Sequence, residues 1–202
     1  VRAYSRQLMD LALYDYLTGL NNRWACMERA VGELSRAERH KRAYCFAMAD
    51  IDGFKLINDT YGHEAGDRVL RHFADSMKNG LRSEDIIGRI GGEEFSVFLP
   101  ETPADGGMRA MERMRRAVEK SVCDIGHGRT LQYTVSFGLV GNDKVVLVSA
   151  EELMRLADGA LYKAKQGGRN KVEQALQPEG PEAEGDGAAD ISDLPPAQAL
   201  EA

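Results

Sequence analysis

The sequence contains few cysteines, and they are poorly spaced for cross-linking or metal binding. Only Cys26, Cys45 and Cys123 occur in 202 residues, and no pair has CxxC spacing. An odd, scattered set argues against a disulfide framework and against a structural zinc site. We expect three free thiols that pack as small apolar side chains in a protein of a reducing compartment. The chain also lacks a nucleophile elbow, a Walker motif and a Rossmann glycine pattern.

Long apolar runs are missing as well. No stretch approaches the roughly 20 apolar residues that a membrane-spanning helix needs, and no signal peptide is visible. We therefore predict a cytoplasmic domain. The chain begins with Val1 rather than Met. This indicates a piece of a longer protein, and we expect an upstream sensory domain, with membrane attachment through that missing region as a further option.

The chain has no excess of basic charge. Its formal net charge is −6, and residues 174–202 hold seven of the 32 acids, four of the six prolines and no Lys or Arg. Residues 1–173 thus carry 26 basic and 25 acidic residues, and such a nearly neutral body argues against a nucleic-acid duplex as partner. The composition of 174–202 predicts a disordered acidic tail, with a regulatory or docking segment as the alternative.

Hydrophobic periodicity predicts one α/β domain over residues 15–173, preceded by a short amphipathic linker helix over 1–14 that enters from an upstream region. The predicted elements alternate between helices and strands: a helix over 23–42, a buried strand over 43–51, a helix near 62–79, a hairpin within 85–100, a helix over 103–121, a strand over 131–140 and a helix over 149–170. This order predicts an α+β fold with a mixed, mainly antiparallel central sheet covered by helices. The apolar face predicted for the first helix consists of Trp24, Met27, Ala30, Val31 and Leu34, which recur at helical spacing.

Two acidic segments could together form a metal site. Asp50 follows the buried strand, and Glu93 and Glu94 follow Gly91 and Gly92 between two apolar runs, a strong hairpin signal. Taken alone, this hairpin fits a turn with solvated glutamates equally well. Asp50 at the end of its strand and Glu93 at the tip of a neighbouring hairpin would supply the two carboxylates that Mg²⁺ shares with nucleotide phosphates in phosphoryl or nucleotidyl transfer.

Other polar residues fit nucleotide binding. Lys55 lies in a predicted turn where it could meet phosphate. Lys165 and Arg169 are four apart and would share a helix face, although that spacing alone is more typical of a solvated helix end. Asn58 and Asp67 offer amide and carboxylate groups, and a carboxylate selects guanine by accepting from its N1–H and 2-amino groups.

Five segments, taken in order, resemble the GGDEF family of diguanylate cyclases. They are DYLTGLNNR (15–23), DIDGFKLINDTYGHEAGD (50–67), GGEEF (91–95), TVSFGLV (134–140) and ADGALYKAKQGGRN (157–170). The resemblance covers roughly residues 15–172, and GGEEF is an accepted variant of the family signature. It implies a fold akin to polymerase palms and class III nucleotidyl cyclases.

The resemblance further implies that a homodimer condenses two GTP molecules into cyclic di-GMP and releases two pyrophosphates. Mg²⁺, with Mn²⁺ as an alternative, would bind the carboxylates of Asp50 and Glu93 and the carbonyl of Ile51. The general base would be Glu93 or Glu94, unless metal polarisation suffices. The remaining substrate contacts implied are guanine recognition by Asn58 and Asp67 with His63 nearby, phosphate binding by Lys55, Lys165 and Arg169, and close backbone approach at Gly91 and Gly92.

The segment RSED places Arg82 and Asp85 three positions apart, shortly before Gly91. It fits a charged turn, but the resemblance implies an RxxD inhibitory site where cyclic di-GMP binds as product and inhibitor. Arg113, Arg115 and Arg116 are candidates for a second arginine, and we name Arg113 in the predicted site.

Three other functions compete with the cyclase. A non-catalytic cyclic di-GMP receptor would typically lose the signature glutamates, which are retained here. An enzyme making a mixed or adenine dinucleotide is disfavoured by Asp67. A purely structural dimerisation module would not need this full polar set.

Overall fold

The computed structural model describes residues 12–142 and 149–175. Most of the predicted linker helix over 1–14 and of the predicted tail over 174–202 lies outside these ranges. Within them, no helix is long and apolar enough to cross a membrane. The helices are α1 (Arg23–His40), α2 (Phe54–Tyr61), α3 (His63–Gly80), α4 (Ala104–Lys120) and α5 (Ala150–Gln166). The strands are β1 (Asn21–Asn22), β2 (Tyr44–Ile51), β3 (Ile86–Gly91), β4 (Glu94–Pro100), β5 (Cys123–Gly126), β6 (Arg129–Leu131), β7 (Val135–Asn142) and β8 (Val172–Gln174).

Six strands form the central sheet in the order β1-β3-β4-β2-β7-β8. Each of the four inner strands is antiparallel to its inner neighbours, and the two outer strands pair parallel to the strands beside them. Strand β2 lies at the centre and is buried on both faces, as its unbroken apolar run predicts. The mixed, mainly antiparallel α+β fold predicted from the sequence is confirmed.

The sheet separates two core clusters. Helices α2, α3 and α4 cover one face, where the apolar side chains of α3 and α4 are fully buried against the sheet, as their spacing predicts. Helices α1 and α5 cover the other face. The three cysteines are buried, and their thiols are not joined in disulfides.

Helix α5 packs against strand β7 through main-chain contact at Gly138. A Cβ built on Gly138 would lie 2.1 Å from the carbonyl oxygen of Ala157 and 2.1 Å from the amide nitrogen of Leu161. Because these atoms belong to the helix backbone, no side chain fits at position 138 without moving the helix. Helix α5 begins where it is predicted to, and Ser149 Oγ caps it by accepting a hydrogen bond from the Glu152 amide (3.2 Å).

The inner face predicted for the first helix is partly wrong. Of the predicted residues, Trp24 and Val31 are exposed and Ala30 is buried, and Cys26, which the prediction did not include, is buried as well. The reason is close approach, since a Cβ on Gly88 of strand β3 would lie 2.6 Å from Cys26 Sγ. A helix that lies this near the sheet presents small side chains inward and large ones outward.

Three further predictions need correction. Residues after Gly53 form helix α2 rather than a turn, so Lys55 lies in a helix. The strand predicted over 131–140 begins only at Val135, because residues 123–131 form a separate β5–β6 hairpin. The last helix ends at Gln166, so Arg169 lies beyond it.

Candidate active site at the end of strand β2

The predicted acidic residues come together at the end of β2. Asp50 lies opposite Glu94 of β4 in the antiparallel register, and the amide of Ile51 donates a 3.4 Å hydrogen bond to the carbonyl of Glu93. Opposed residues of antiparallel strands present their side chains on the same face. Asp50 and Glu94 therefore share a face, and the main-chain hydrogen bond places Ile51 and Glu93 beside them. We call these four residues the carboxylate edge.

A cation already lies at the carboxylate edge. The Lys165 ammonium at the end of α5 forms a short hydrogen bond to Asp50 Oδ1, and it lies 3.2 Å from Asp52 Oδ1 and 3.5 Å from the carbonyl oxygen of Ile51. Arg169 does not share a helix face with Lys165, contrary to the prediction from their spacing. It follows the helix in a left-handed conformation with φ 62°.

The carboxylates of this edge resist ionisation. Burial raises the pKa of Asp50, and hydrogen bonding to Lys165 and the charge of Arg169 only partly offset this effect. Burial and the charge of Asp50 raise the pKa of Glu93. Burial, Asp50 and Asp158 raise the pKa of Glu94. A bound cation would relieve the repulsion between these neighbouring acids, so the site favours cation binding.

The donor set of the edge fits a hard divalent cation. The Lys165 ammonium contacts both a carboxylate and a main-chain carbonyl oxygen. Mg²⁺ binds oxygen ligands of these two kinds. Among the described residues, no three acidic, histidine or cysteine side chains converge as a metal cluster. A metal here would therefore combine two carboxylates and a carbonyl with water or phosphate oxygens.

The glycine turn is held by a contact that the sequence analysis missed. Arg89 donates hydrogen bonds to the carbonyl of Gly92 through Nε (3.0 Å) and Nη2 (2.7 Å), and its Nη1 lies 3.1 Å from Asp15 Oδ1. Gly92 has φ +47°, and a Cβ on Gly91 or Gly92 would meet no atom within 4 Å. The hydrogen bonds of Arg89 thus fix the main chain of the turn, while the space beside Gly91 and Gly92 is open to a ligand.

Helices α2 and α3 place the other predicted substrate residues near one another. Lys55 is exposed in the first turn of α2, and His63 is exposed at the start of α3. Asn58 packs against Gly66, since a Cβ there would lie 2.0 Å from Asn58 Oδ1. Asp67, the next residue, is half-buried beside this contact. Asn58 thus contacts the turn of α3 that carries Asp67.

The RxxD segment forms a tight turn beside helix α4. The amide of Arg82 donates to Asp85 Oδ2 (2.8 Å), while Asp85 Oδ1 is buried without a hydrogen-bond partner. Burial raises the pKa of Asp85. Arg113 donates to the carbonyl of Gly80 (3.4 Å), close to this turn. The other two candidate arginines, Arg115 and Arg116, bind Glu112 instead.

Comparison with known proteins matches most of the chain to one family. Residues 12–171 match the family described as "Diguanylate cyclase, GGDEF domain". The chain is 42% identical over 168 residues to diguanylate cyclase DgcP of Pseudomonas aeruginosa, a match that covers 81% of this chain and 24% of DgcP. The chain thus spans about a quarter of that relative's length.

Solved structures show the same fold. The coiled coil and GGDEF domain of DgcB from Caulobacter crescentus, in complex with c-di-GMP, superposes with a TM-score of 0.77 at 32% identity, covering 86% of this chain and 91% of that one. Diguanylate cyclase SiaD of Pseudomonas aeruginosa, in complex with its activator SiaC, gives a TM-score of 0.76 at 38% identity, covering 86% of this chain and 66% of that one.

Proposed function

Because the chain belongs to the GGDEF domain family of diguanylate cyclases, we propose that it condenses two GTP molecules into cyclic di-GMP and releases two pyrophosphates. The observation that carries this proposal is the carboxylate edge. There Asp50, Glu93 and Glu94 meet Lys165 beside an open glycine turn.

The chemistry is a pair of in-line transfers. The 3′-hydroxyl oxygen of each GTP attacks the α-phosphorus of the other, a 3′–5′ phosphodiester forms, and the bond between the α-phosphorus and its bridging oxygen breaks as pyrophosphate leaves. The proton of each hydroxyl passes to a base. Glu93 and Glu94 are the candidates, since their raised pKa values bring them closer to the range of a working base.

Asp50, Glu93 and the carbonyl of Ile51 would hold Mg²⁺, or Mn²⁺ in its place. When bound, the metal would neutralise phosphate charge and make the 3′-hydroxyl more acidic. Lys165 and Arg169 would bind phosphate oxygens from the α5 side, and Lys55 from the first turn of α2. Lys165 would exchange its contact with Asp50 for a phosphate oxygen when the triphosphate binds.

Base selection would come from Asn58 and Asp67. The Asp67 carboxylate accepts from guanine N1–H and the 2-amino group, a donor pair that adenine lacks. His63 would flank this site. Each chain would hold one GTP, and a two-fold homodimer would bring the two nucleotides face to face.

Product inhibition would act through Arg82, Asp85 and Arg113. Arginine can both stack on guanine and donate to it, and the Asp85 carboxylate would accept from a guanine edge. Binding of c-di-GMP by the similar DgcB domain supports a nucleotide site of this kind in the family.

The test is turnover by the purified chain after bound nucleotide has been removed. With GTP and Mg²⁺, we expect cyclic di-GMP and pyrophosphate in a 1:2 ratio by chromatography and mass spectrometry. Glu93→Gln, which keeps the size of the side chain, should lower the rate by at least about 100-fold. Arg82→Ala should keep the initial rate and weaken inhibition by added product.

A different result would favour the receptor function. If the chain makes no product at high protein concentration, even when a fused coiled coil holds it as a dimer, the cyclase proposal is wrong. Binding of cyclic di-GMP that depends on Arg82 would then identify a receptor domain.

A further inference from the structure

Asp52 lies two residues after Asp50, but its surroundings are different. Its carboxylate accepts hydrogen bonds from Thr134 Oγ1 (2.7 Å), Ser136 Oγ (2.8 Å) and the Asn170 amide (3.0 Å). Lys165 Nζ lies 3.2 Å from Asp52 Oδ1, and only 6% of the Asp52 side chain is exposed. With four donors around two oxygens, this carboxylate has no lone pair directed at solvent. The Asp52 carboxylate therefore binds groups of the protein rather than a ligand.

The groups it holds include the loop that follows helix α5. Gly168, Arg169 and Asn170 have consecutive positive φ values of 105°, 62° and 48°. Glycine adopts this region freely and asparagine tolerates it, but arginine does so at a cost in strain. A strained segment persists where its surroundings specify it. Asp52 supplies one such constraint through the amide of Asn170.

The second constraint comes from helix α4. Arg115 Nη1 donates to Asn170 Oδ1 (2.6 Å), and Asn170 Nδ2 donates to Glu119 Oε1 (2.7 Å). Asn170 is therefore fixed by its main chain on one side and by its side chain on the other. Because Arg169 immediately precedes Asn170, this double attachment sets the direction in which the Arg169 backbone leaves the helix.

We propose that Asp52 is a positioning residue for the transfer reaction. It holds Lys165 through its charge and Arg169 through the Asn170 amide, so that both cations face the triphosphate at the carboxylate edge. This inference rests on the proposed function, since it assigns to Asp52 the placement of the two phosphate-binding groups. Asp52 itself touches neither substrate nor metal.

Two substitutions separate the two tasks of Asp52. In Asp52→Asn, the amide oxygen can still accept from Asn170 and Thr134, and the Ser136 hydroxyl can rotate to accept from the new NH₂ group. Lys165 cannot accept, so this variant releases mainly Lys165. In Asp52→Ala, both Lys165 and the Asn170 loop lose their acceptor. The effect should therefore increase from Asn to Ala.

The experiment compares these variants of the full chain in turnover and in ligand binding. A displacement of about 1 Å can cost roughly 100-fold in rate. We expect kcat to fall about tenfold in Asp52→Asn and about 100-fold in Asp52→Ala, with the loss persisting at saturating GTP. Affinity for a GTP analogue with an α,β-methylene bridge should fall about tenfold, because it depends on both cations. Affinity for GMP should stay within about twofold, because guanine is bound by α2 and α3.

The matched control is Asp124→Asn. Asp124 Oδ1 accepts from the Gly126 amide (2.8 Å) in the β5–β6 hairpin, away from the carboxylate edge, and this variant should retain wild-type values. The proposal is overturned if Asp52→Asn keeps wild-type kcat and analogue affinity. It is equally overturned if affinities for the analogue and for GMP fall in parallel with a lowered melting temperature, which would indicate a general loss of structure. If the wild type makes no cyclic di-GMP, the proposed function fails, and the two binding measurements still decide the role of Asp52.

Discussion

Asp50 and Asp52 are two positions apart in one segment, yet their roles in the structure are opposite. Asp52 is surrounded by donors from Thr134, Ser136, Lys165 and Asn170. Asp50 instead lies near other acids, and Lys165, which is hydrogen-bonded to it, and the charge of Arg169 only partly offset its burial. At the residue scale, the carboxylate edge is thus destabilised while the residue that supports it is satisfied. This contrast leads to a prediction on pH and stability.

We expect Glu93→Gln to raise the thermal midpoint at pH 7, although the same variant should lower the turnover rate. Burial and the charge of Asp50 raise the pKa of Glu93 from its ordinary value of 4.5. The folded state therefore binds this proton more tightly than the unfolded state. The penalty is absent below the unfolded pKa and complete above the folded one. In thermal unfolding, the advantage of glutamine should vanish near about pH 4.

Glu112→Gln is the control of opposite sign. Hydrogen bonds from Arg115 and Arg116 lower the pKa of Glu112 to about 2. The stabilisation by this carboxylate is present above the unfolded pKa and is lost as the pH falls towards about 2. Glu112→Gln should therefore lower the midpoint at pH 7. Shifts of both variants in the same direction at pH 7 would contradict this account of the edge.

The glycine turn gives a second comparison at single positions. Gly92→Ala should lower the free energy of unfolding by about 1 kcal/mol, because φ is +47° there. Gly91→Ala should change it by less than about 0.5 kcal/mol, since φ at Gly91 is not positive and no atom lies near its Cβ position. Urea unfolding measures both. Equal losses would show that the conformation at Gly92 carries no special cost.

At the scale of elements, the sequence predicts best where periodicity is long and regular. Helices α3 and α4 and the hairpin of β3 and β4 lie within a residue or two of their predicted ranges. Helix α2 could not be predicted, because eight residues are too few for a clear period and Gly53 and Asp52 resemble a turn. The inner face of α1 was mispredicted because its close approach to Gly88 depends on a strand more than 45 residues away in sequence.

The contact of α5 with Gly138 allows a test at this scale. Gly138→Ala should lower the free energy of unfolding by about 3 kcal/mol, because its Cβ would overlap main-chain atoms of Ala157 and Leu161 that cannot rotate away. Gly159→Ala, within helix α5 itself, is the matched control. It is exposed with no atom within 4 Å of its Cβ position, so alanine should stabilise by about 0.5–1 kcal/mol. Chemical denaturation of both variants measures the difference, and a mild effect at Gly138 would show that the helix can move.

At the scale of the whole molecule, the types of residue in the candidate site were predictable, but their connections were not. Asp50, Glu93 and Lys165 could be named from the sequence, yet the direct contact of Lys165 with Asp50 joins residues 115 positions apart. Arg89 and Asp15, separated by 74 positions, gave no local signal at all. Spacing along one element identifies shared faces, whereas contacts between elements depend on how the layers pack.

A homodimer that holds one GTP in each chain makes a prediction about concentration. Specific activity should rise with protein concentration over about two decades, because only paired chains can bring two nucleotides together. Initial rates of pyrophosphate release measure this dependence. A fused N-terminal coiled coil should make the specific activity constant across the same range. If the unfused chain shows constant specific activity down to the lowest concentration, turnover does not depend on reversible pairing.

The main-chain contact at Gly138 also bears on how such a domain can diverge. Side chains between two layers act as adjustable spacers, so substitutions in a core usually shift a helix as they accumulate over generations. At Gly138 no side chain separates the two layers, so the backbone of β7 directly sets the position of α5. Lineages can therefore exchange residues in either core cluster while Lys165 keeps its place. The same contact makes position 138 one of the least free to vary, although its residue performs no chemistry.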